Sequence, residues 1–171
     1  MLFRSLHKAN YIYKGMKFDI YDGGHRVPFV VRWPGVVAPG TQSASLVCLT
    51  DIMATLAEVT GRQLPRTAAE DSFSMLPILK NYSKTVRRSV IHHSGYGMFA
   101  FRDGQWKFVD GYGSGGNEKL PETPYCELGQ LYDIVADPEE SRNVACDNPK
   151  VVARMKQELY RQVEQGYTRK L

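Results

Sequence analysis

Residues 16–35 hold the polar side chains with the most distinctive spacing in this 171-residue chain. In the stretch MKFDIYDGGHRVPFVVRWPG, Lys17, His25 and Arg26 surround a double glycine and precede an apolar run. Positive donors stabilise negative charge that develops during a reaction, and histidine exchanges protons near neutral pH. The pattern predicts a polar loop that leads into a core strand. Spacing alone assigns no role to the three side chains, because a lysine in a loop is usually solvated.

The double glycine has a structural interpretation. Glycine tolerates left-handed backbone and close approach of other groups, so Gly23 and Gly24 are predicted to let the loop turn into the strand. Arg26 is predicted to brace this loop by donating to a carboxylate or a carbonyl, with Asp22 as the candidate acceptor.

A pair of adjacent histidines, His92 and His93, stands at the end of a predicted strand. Side chains alternate along a strand, so the two rings are expected on opposite faces, and at most one can point into a given pocket. Adjacent histidines without a nearby carboxylate pattern do not make a metal site.

The acidic stretch DIVADPEESRN does not follow the spacing of a calcium-binding loop. Asp137 and Pro138 are predicted to form a turn, with Glu139 and Glu140 solvated or capping.

Three cysteines are too few and too scattered for a disulfide scaffold, and no C-x-x-C pair indicates zinc or redox chemistry. Cys48 is predicted to be a small buried hydrophobic residue. A bond between Cys126 and Cys146 is possible, but their separation in sequence does not establish it.

Composition excludes several classes of protein. A 43% apolar and 23% charged chain is ordinary for a folded domain, so disorder is not expected. The net charge of +4 is spread along the chain without a basic run, so no nucleic-acid partner is expected. No apolar stretch approaches the roughly 18 residues that a membrane span needs, so no membrane partner is expected. The cellular location is left open.

The first half of the chain shows an α/β pattern. The run VPFVVRW, residues 27–33, is rich in β-branched and aromatic residues and predicts a strand buried on both faces. Residues 50–61 predict a helix with Ile52, Met53, Leu56 and Val59 on its apolar face. A short helical turn is expected in FSMLPILKN.

The second half predicts an antiparallel sheet. Three short strand-like runs, SVIHHS, MFAFRDGQWKFVDG and GQLYDIV, are separated by turn residues, and Asp103-Gly104 indicates a hairpin. A C-terminal helix begins near Asn148 and ends at Gly166, and its single apolar face is expected to lie on the sheet. The predicted organisation is residues 1–85 as part of an α/β core and residues 86–171 as an antiparallel subdomain.

Four motifs in order resemble the sulfatase family. They are KFDIYDGGHRVPFVVRWPG, the helix TDIMATLAEVTG, the hairpin FAFRDGQWKFV and the segment LYDIVADPEESRNVA. Asp22 replaces the glutamate that is usual in the first motif, and Ala54 replaces a proline in the helix. The resemblance covers nearly the whole chain and corresponds to the C-terminal portion of a sulfatase.

The resemblance implies a fold and a site. The fold would be the C-terminal part of an alkaline-phosphatase-like α/β core, followed by the small antiparallel sheet with its helix. Lys17 would be a catalytic residue that contacts the sulfate, and His25 and His93 are candidates for substrate binding. No metal ligand is assigned. The complete enzyme would use calcium and a formylglycine nucleophile.

The nucleophile signature of sulfatases, Cys-x-Pro-x-Arg or Ser-x-Pro-x-Arg, does not occur in this sequence. This chain alone is therefore expected to be inactive, and a surface left by a missing half could drive self-association. The substrate of the complete enzyme would be a sulfate ester. Two alternatives stay open at this point: a related phosphatase or phosphonate hydrolase, and a noncatalytic binding module derived from a sulfatase.

Overall fold

The computed structural model describes residues 9–116 and 124–169. Its helices are α1 (Asp51–Val59), α2 (Leu76–Lys80) and α3 (Pro149–Gln165). The strands are β1 (Ser89–His93), β2 (Phe99–Asp103), β3 (Trp106–Val109) and β4 (Gln130–Asp133). None of the helices in the described part of the chain combines the length and the apolar character that crossing a membrane requires.

The four strands form one sheet in the order β1-β2-β3-β4, with antiparallel pairing between β2 and β3 and between β3 and β4. Asp103 pairs with Trp106, so Gly104 and Gln105 form the two-residue turn. Gly104 has φ +60°, the left-handed conformation that such a tight turn favours. The predicted hairpin is confirmed.

One face of the sheet packs on the segment that holds the double glycine. Cross-strand partners share a face, and the register places Arg102 opposite Lys107, and Lys107 opposite Tyr132. Ile20 and Tyr21 pack on this face in a buried cluster. Its members are Ile20, Tyr21, Ala100, Val109, Tyr132 and Ile134. The sheet therefore positions residues 16–26, which we call the motif loop.

The opposite face of the sheet carries Phe101, Phe108 and Leu131, all of them buried. Asp103 on this face forms an ion pair with Arg154 of α3, and 2.7 Å separate Arg154 Nη1 from Asp103 Oδ2. Met155, the neighbour of Arg154 in α3, is fully buried. The predicted packing of the C-terminal helix on the sheet is confirmed for this first half of the helix.

Helix α1 is anchored by the carboxylate of Asp51, its first residue. Asp51 Oδ2 accepts the backbone N–H of Cys48 at 2.9 Å, and Oδ1 accepts that of Phe73 at 2.9 Å. The side chain of Arg87 pairs with the same carboxylate. One turn later, Thr55 Oγ1 accepts the N–H of Met75 at 2.8 Å, which ties α1 to the start of α2. The predicted helices at residues 50–61 and in FSMLPILKN are both confirmed.

The predicted buried strand at residues 27–33 is wrong. Residues 27–33 form no strand, and Val30 is 90% exposed, because a strand needs neighbours for its backbone hydrogen bonds and none of the described segments pairs with it. The apolar face of α1 is exposed too: Met53 and Leu56 each keep more than half of their surface in solvent. These residues have the apolar pattern of a buried face, but none of the described segments covers them.

The described chain divides into two compact units. The first contains residues 1–27 and 91–157, and the second contains residues 28–90 and 158–171. The first unit combines the motif loop with most of the sheet, and the second contains α1 and α2. The division at residue 85 that the sequence suggests stays a prediction.

Cys126 and Cys146 form a disulfide, with 5.9 Å between their Cα atoms. The bond ties the loop before β4 to the loop before α3. Cys48 is a free thiol and is only half-buried, with its Sγ 2.8 Å from Thr50 Oγ1. Its predicted role as a fully buried hydrophobic residue is therefore wrong.

We expect the Cys126→Ala/Cys146→Ala variant to lose about 3 kcal/mol of unfolding free energy. The bond closes a loop with a sequence separation of 20 residues, and such a constraint acts mainly on the unfolded chain. Urea unfolding monitored by circular dichroism measures the change. Cys48→Ala is the matched control and is expected to stay near the wild type. A double variant as stable as the control would contradict the prediction.

Candidate functional site

The motif loop is held by a buried ion cluster centred on Lys107. This lysine of β3 is fully buried, and its Nζ lies 2.8 Å from Asp22 Oδ1 and 2.7 Å from Glu140 Oε1. Glu140 Oε2 accepts the backbone N–H of Asp22 at 2.6 Å, which closes a ring of three residues. The ring connects the motif loop, the central part of the sheet and the segment after β4.

Glu140 was expected to be solvated or to act as a cap. The first expectation is wrong, because Glu140 is fully buried. The second is confirmed in part, since its carboxylate accepts the N–H of Asp22, the first residue of the 3₁₀ turn Asp22–Gly24. Glu140 has φ +52°, an unfavourable conformation for a side chain of this type. Interactions of its carboxylate with Lys107 and Asp22 offset that cost.

The two carboxylates of this cluster have pKa values that move in opposite directions. Burial opposes ionisation of Asp22, but the charge and hydrogen bond of Lys107, with help from Arg26, hold the pKa of Asp22 well below its usual range. Burial raises the pKa of Glu140, and the repulsion of Asp22 adds to this rise against the attraction of Lys107. The charged form of Asp22 is therefore favoured beside Lys107.

Gly23 explains why the motif needs a glycine at this place. A Cβ on Gly23 would lie 2.4 Å from the carbonyl oxygen of Gly15 and 2.5 Å from that of Lys14, which is too close for any side chain. Gly23 is needed because other backbone atoms approach it closely, and not because it adopts a left-handed conformation. Arg26 braces the same turn, since its Nε donates to Asp22 Oδ2 at 2.7 Å. The prediction for Arg26 is confirmed.

Lys17 lies at the exposed tip of the motif loop. The backbone around it is fixed by Asp19, whose Oδ2 accepts the N–H of Met16 at 2.8 Å. The Nζ atom of Lys17 lies 5.4 Å from the ring centroid of Phe18. The structure thus places Lys17 where an anion can reach it from solvent, while its catalytic role stays a prediction.

Two histidine rings meet beside the motif loop. The ring centroids of His25 and His92 are 4.1 Å apart, and His92 Nε2 lies 3.3 Å from the carbonyl oxygen of Ile20. His93 lies elsewhere: its Nδ1 is 2.9 Å from the carbonyl oxygen of Ser94, and its ring contacts Phe99 edge-on. The structure brings His25 together with His92 and not with His93.

His92 was missed as a site candidate, although strand alternation predicts that it and His93 face opposite ways. The sequence does not show which face of β1 meets the motif loop, so it offered no basis for choosing between them. Packing around the ring lowers the pKa of His92 well below its usual value, and the nearby charge of Lys107 adds to this. Burial and Lys107 lower the pKa of His25 as well.

A calcium ion does not fit the donors that the motif loop presents. Within residues 9–116 and 124–169, no group of three or more His, Cys, Asp or Glu side chains could hold a metal ion. The nearby carboxylates already have partners: Asp22 and Glu140 pair with Lys107, and Asp19 accepts the N–H of Met16. Calcium takes six to eight oxygen ligands, and this loop does not supply them.

Comparison with known proteins identifies relatives over almost the whole chain. Residues 14–165 match the family described as N-sulphoglucosamine sulphohydrolase, C-terminal. The chain is 37% identical over 161 residues to an N-acetylgalactosamine-6-O-sulfatase of Bacteroides thetaiotaomicron. This alignment covers 90% of this chain and 30% of that protein. It is 32% identical over 162 residues to arylsulfatase A of Homo sapiens, covering 82% of this chain and 31% of the relative.

Comparison with solved structures also identifies a relative over most of the chain. One structure, described under the metabolism of multiple glycosaminoglycans by Bacteroides thetaiotaomicron, is 34% identical to this chain with a TM-score of 0.74. The match covers 91% of this chain and 32% of the solved chain. The sequence thus spans about 30% of the length of the curated relatives it matches.

We expect Lys107→Met to lower the unfolding free energy by about 3–5 kcal/mol, because it leaves two carboxylates buried without their cation. Lys156→Met is the matched control. Lys156 is a half-exposed lysine of α3 that pairs with Asp110 at 3.0 Å, and exposed pairs contribute about 1 kcal/mol or less. Urea unfolding of both variants measures the difference. Equal losses in the two variants would contradict the buried role of Lys107.

We expect stability to fall as the pH drops from about 7 toward 5. The pKa values of His92 and His25 are lowered in the folded state. The unfolded chain therefore binds more protons below the ordinary histidine pKa of about 6.5, and the folded state loses stability there. Unfolding midpoints at several pH values measure this loss. The His25→Gln/His92→Gln variant should show a shallower decline, and a wild-type decline in that variant would contradict the assignment.

Proposed function

Because this chain belongs to the sulfatase family as its C-terminal domain, we propose that it forms part of an enzyme that hydrolyses sulfate esters. The observation that carries this proposal is the motif loop, whose backbone is fixed by the Lys107 cluster while Lys17 stays exposed at its tip. A cation on a rigid loop stabilises developing charge without reorganising during the reaction. This arrangement suits a residue that holds a sulfate group.

Lys17 is proposed as the catalytic residue of this part of the enzyme. Its ammonium would donate to sulfate oxygens and stabilise the charge that develops on them as the ester bond breaks. His25 is proposed to lie near the substrate, with its ring held against His92. His93 is retained as a second candidate on the exposed side of β1, beside Phe99.

Sulfate-ester cleavage also needs a nucleophile and a metal ion on the sulfate. The nucleophile pentapeptide does not occur in this sequence, and the described residues form no metal site. We propose that formylglycine and calcium belong to another part of the complete enzyme, and that this chain alone is inactive. The complete enzyme, and not this chain alone, would select the substrate. The noncatalytic alternative is favoured by one observation, the absence of the nucleophile pentapeptide from this sequence.

The exposed apolar residues of the second unit are proposed to contact the remainder of the sulfatase domain. Helix α1 presents Met53 and Leu56 there, with Leu49 just before the helix and Val30 on the extended segment. Exposed apolar side chains that gather on one surface mark an interaction site. In the absence of its partner, the same surface is proposed to cause self-association.

A chimeric enzyme tests this function. The chain would replace the matching C-terminal segment of the Bacteroides thetaiotaomicron N-acetylgalactosamine-6-O-sulfatase. We expect the chimera to hydrolyse N-acetylgalactosamine 6-sulfate and to be monomeric by sedimentation, while this chain alone self-associates and releases no sulfate. Lys17→Ala in the chimera should lower kcat/KM by about 100-fold or more, as expected for a lost transition-state donor.

Lys84→Ala is the control for Lys17, since it removes another exposed lysine far along the sequence. It should keep the activity of the chimera. A folded chimera that carries formylglycine yet releases no sulfate would favour the noncatalytic alternative. Turnover by the isolated 171-residue chain would refute its proposed inactivity.

A further inference from the structure

Arg102 of β2 stands beside the ion cluster but takes no part in its bonds. The register places Arg102 opposite Lys107, so its side chain shares the face of the sheet that meets the motif loop. Burial lowers the pKa of Arg102, while the charge of Asp22 opposes this change and that of Arg26 adds to it. The carboxylate of Glu140 also acts on this pKa. The Arg102 guanidinium therefore lies within electrostatic reach of the cluster.

The oxygens of both cluster carboxylates already have partners. Lys107 Nζ donates to Asp22 Oδ1 at 2.8 Å, and Arg26 Nε donates to Asp22 Oδ2 at 2.7 Å. Glu140 Oε1 pairs with Lys107, and Oε2 accepts the N–H of Asp22. Arg102 Nε is buried and has no hydrogen-bond partner. None of the ion pairs in the described part of the chain includes Arg102.

The charges at this place do not balance. Three cationic side chains share two carboxylates: they are Lys107, Arg26 and Arg102 against Asp22 and Glu140. One positive charge of these five is therefore left over. A buried polar group without a partner destabilises a fold, and a charged group does so more strongly. In native structures such a group requires an explanation, for which a bound ion is a recognised one.

Arg26 adds a second guanidinium beside that of Arg102. The Cζ atom of Arg26 lies 4.2 Å from the centroid of the Tyr13 ring, and 43% of the Arg26 side-chain surface stays in solvent. Two like charges repel each other, and an anion that contacts both removes the repulsion. The planar fork of arginine matches the paired oxygens of a carboxylate or a sulfate group. The two arginines thus have the chemistry of an oxyanion site.

Lys17 and Arg102 lie near different ends of β2. Gly95, which precedes β2, donates its N–H to the carbonyl of Phe18, the neighbour of Lys17, at 2.8 Å. Arg102 is the fourth of the five residues of β2 and stands next to the hairpin turn. The two arginines therefore do not share an anion with Lys17.

We propose that Arg102 and Arg26 bind one oxyanion group, a carboxylate or a sulfate. This inference goes beyond the proposed function, because it depends neither on ester hydrolysis nor on Lys17. The group has two possible sources. One is an aspartate or glutamate side chain of the complete protein, since this sequence spans about 30% of the length of its curated relatives. The other is a free anion such as inorganic sulfate.

Crystal structures of the chimeric enzyme distinguish the two sources. One crystal is grown in chloride, and a second is soaked in sodium selenate, a sulfate analogue whose selenium is located by anomalous scattering. A carboxylate from outside the 171 residues within hydrogen-bond distance of Arg102 would identify a side chain as the source. A selenium peak beside Arg102 would identify a free anion. The absence of both features would overturn the proposal.

Thermal unfolding of the chimera shows whether the site is occupied in solution. The Tm is measured in sodium chloride and in sodium sulfate at equal ionic strength. For a side-chain source, Arg102→Met should lower the Tm by about 2 °C or more in both salts, because a charged partner is lost. For a free anion, sulfate should raise the Tm of the unsubstituted chimera by about 2 °C more than that of Arg102→Met. Arg102→Lys should lose part of the effect, since lysine keeps the charge without the fork.

Arg142→Met is the matched control, because it removes an exposed arginine of the first unit that pairs with Asp147 at 3.6 Å. It should respond to both salts like the unsubstituted chimera. If Arg102→Met has the same Tm as this control in both salts, the proposal is wrong, and a selenium peak would then be an adventitious ion only. Sulfate release by the same chimera is measured separately. An active chimera without the arginine site refutes this proposal alone, and an inactive chimera with the site counts against the proposed function alone.

Discussion

The pairing of Lys107 with Asp22 and Glu140 is the interaction on which the motif loop depends. A buried ammonium is costly unless opposite charges surround it, and here two carboxylates from distant segments do so. Because Asp22 begins the turn that contains Gly23, the ion cluster sets the backbone path of the whole loop. Residues at the exposed tip of the loop, Lys17 among them, inherit that rigidity.

The two faces of the sheet have different tasks. One face carries Phe101 and Phe108 and pairs with α3 through Arg154, so it serves mainly to stabilise the unit. The other face holds Lys107 and Tyr132 and contacts the motif loop. A thin antiparallel sheet thereby links an apolar core directly to the proposed sulfate-binding side.

Local structure was predictable from this sequence, and long-range partners were not. The hairpin at Gly104 and the helix after Asn148 follow from turn and capping residues close in sequence, and both are found. The partner of Lys107 could not be predicted, because Glu140 stands in a stretch that also suits a solvated turn. The strand predicted at residues 27–33 was wrong for a related reason, because an apolar pattern does not identify the segment that would pair with it, and Val30 is 90% exposed.

The ion cluster also constrains the order of events as the polypeptide leaves the ribosome. Asp22 is bonded to Lys107 and Glu140, which follow it by 85 and 118 residues. Closing contacts over such separations is slow, since the chain entropy must be lost before the contacts form. The motif loop is therefore synthesised before both of its ionic partners and acquires its final shape only after Glu140 has emerged, so the charge of Asp22 stays in water during that interval.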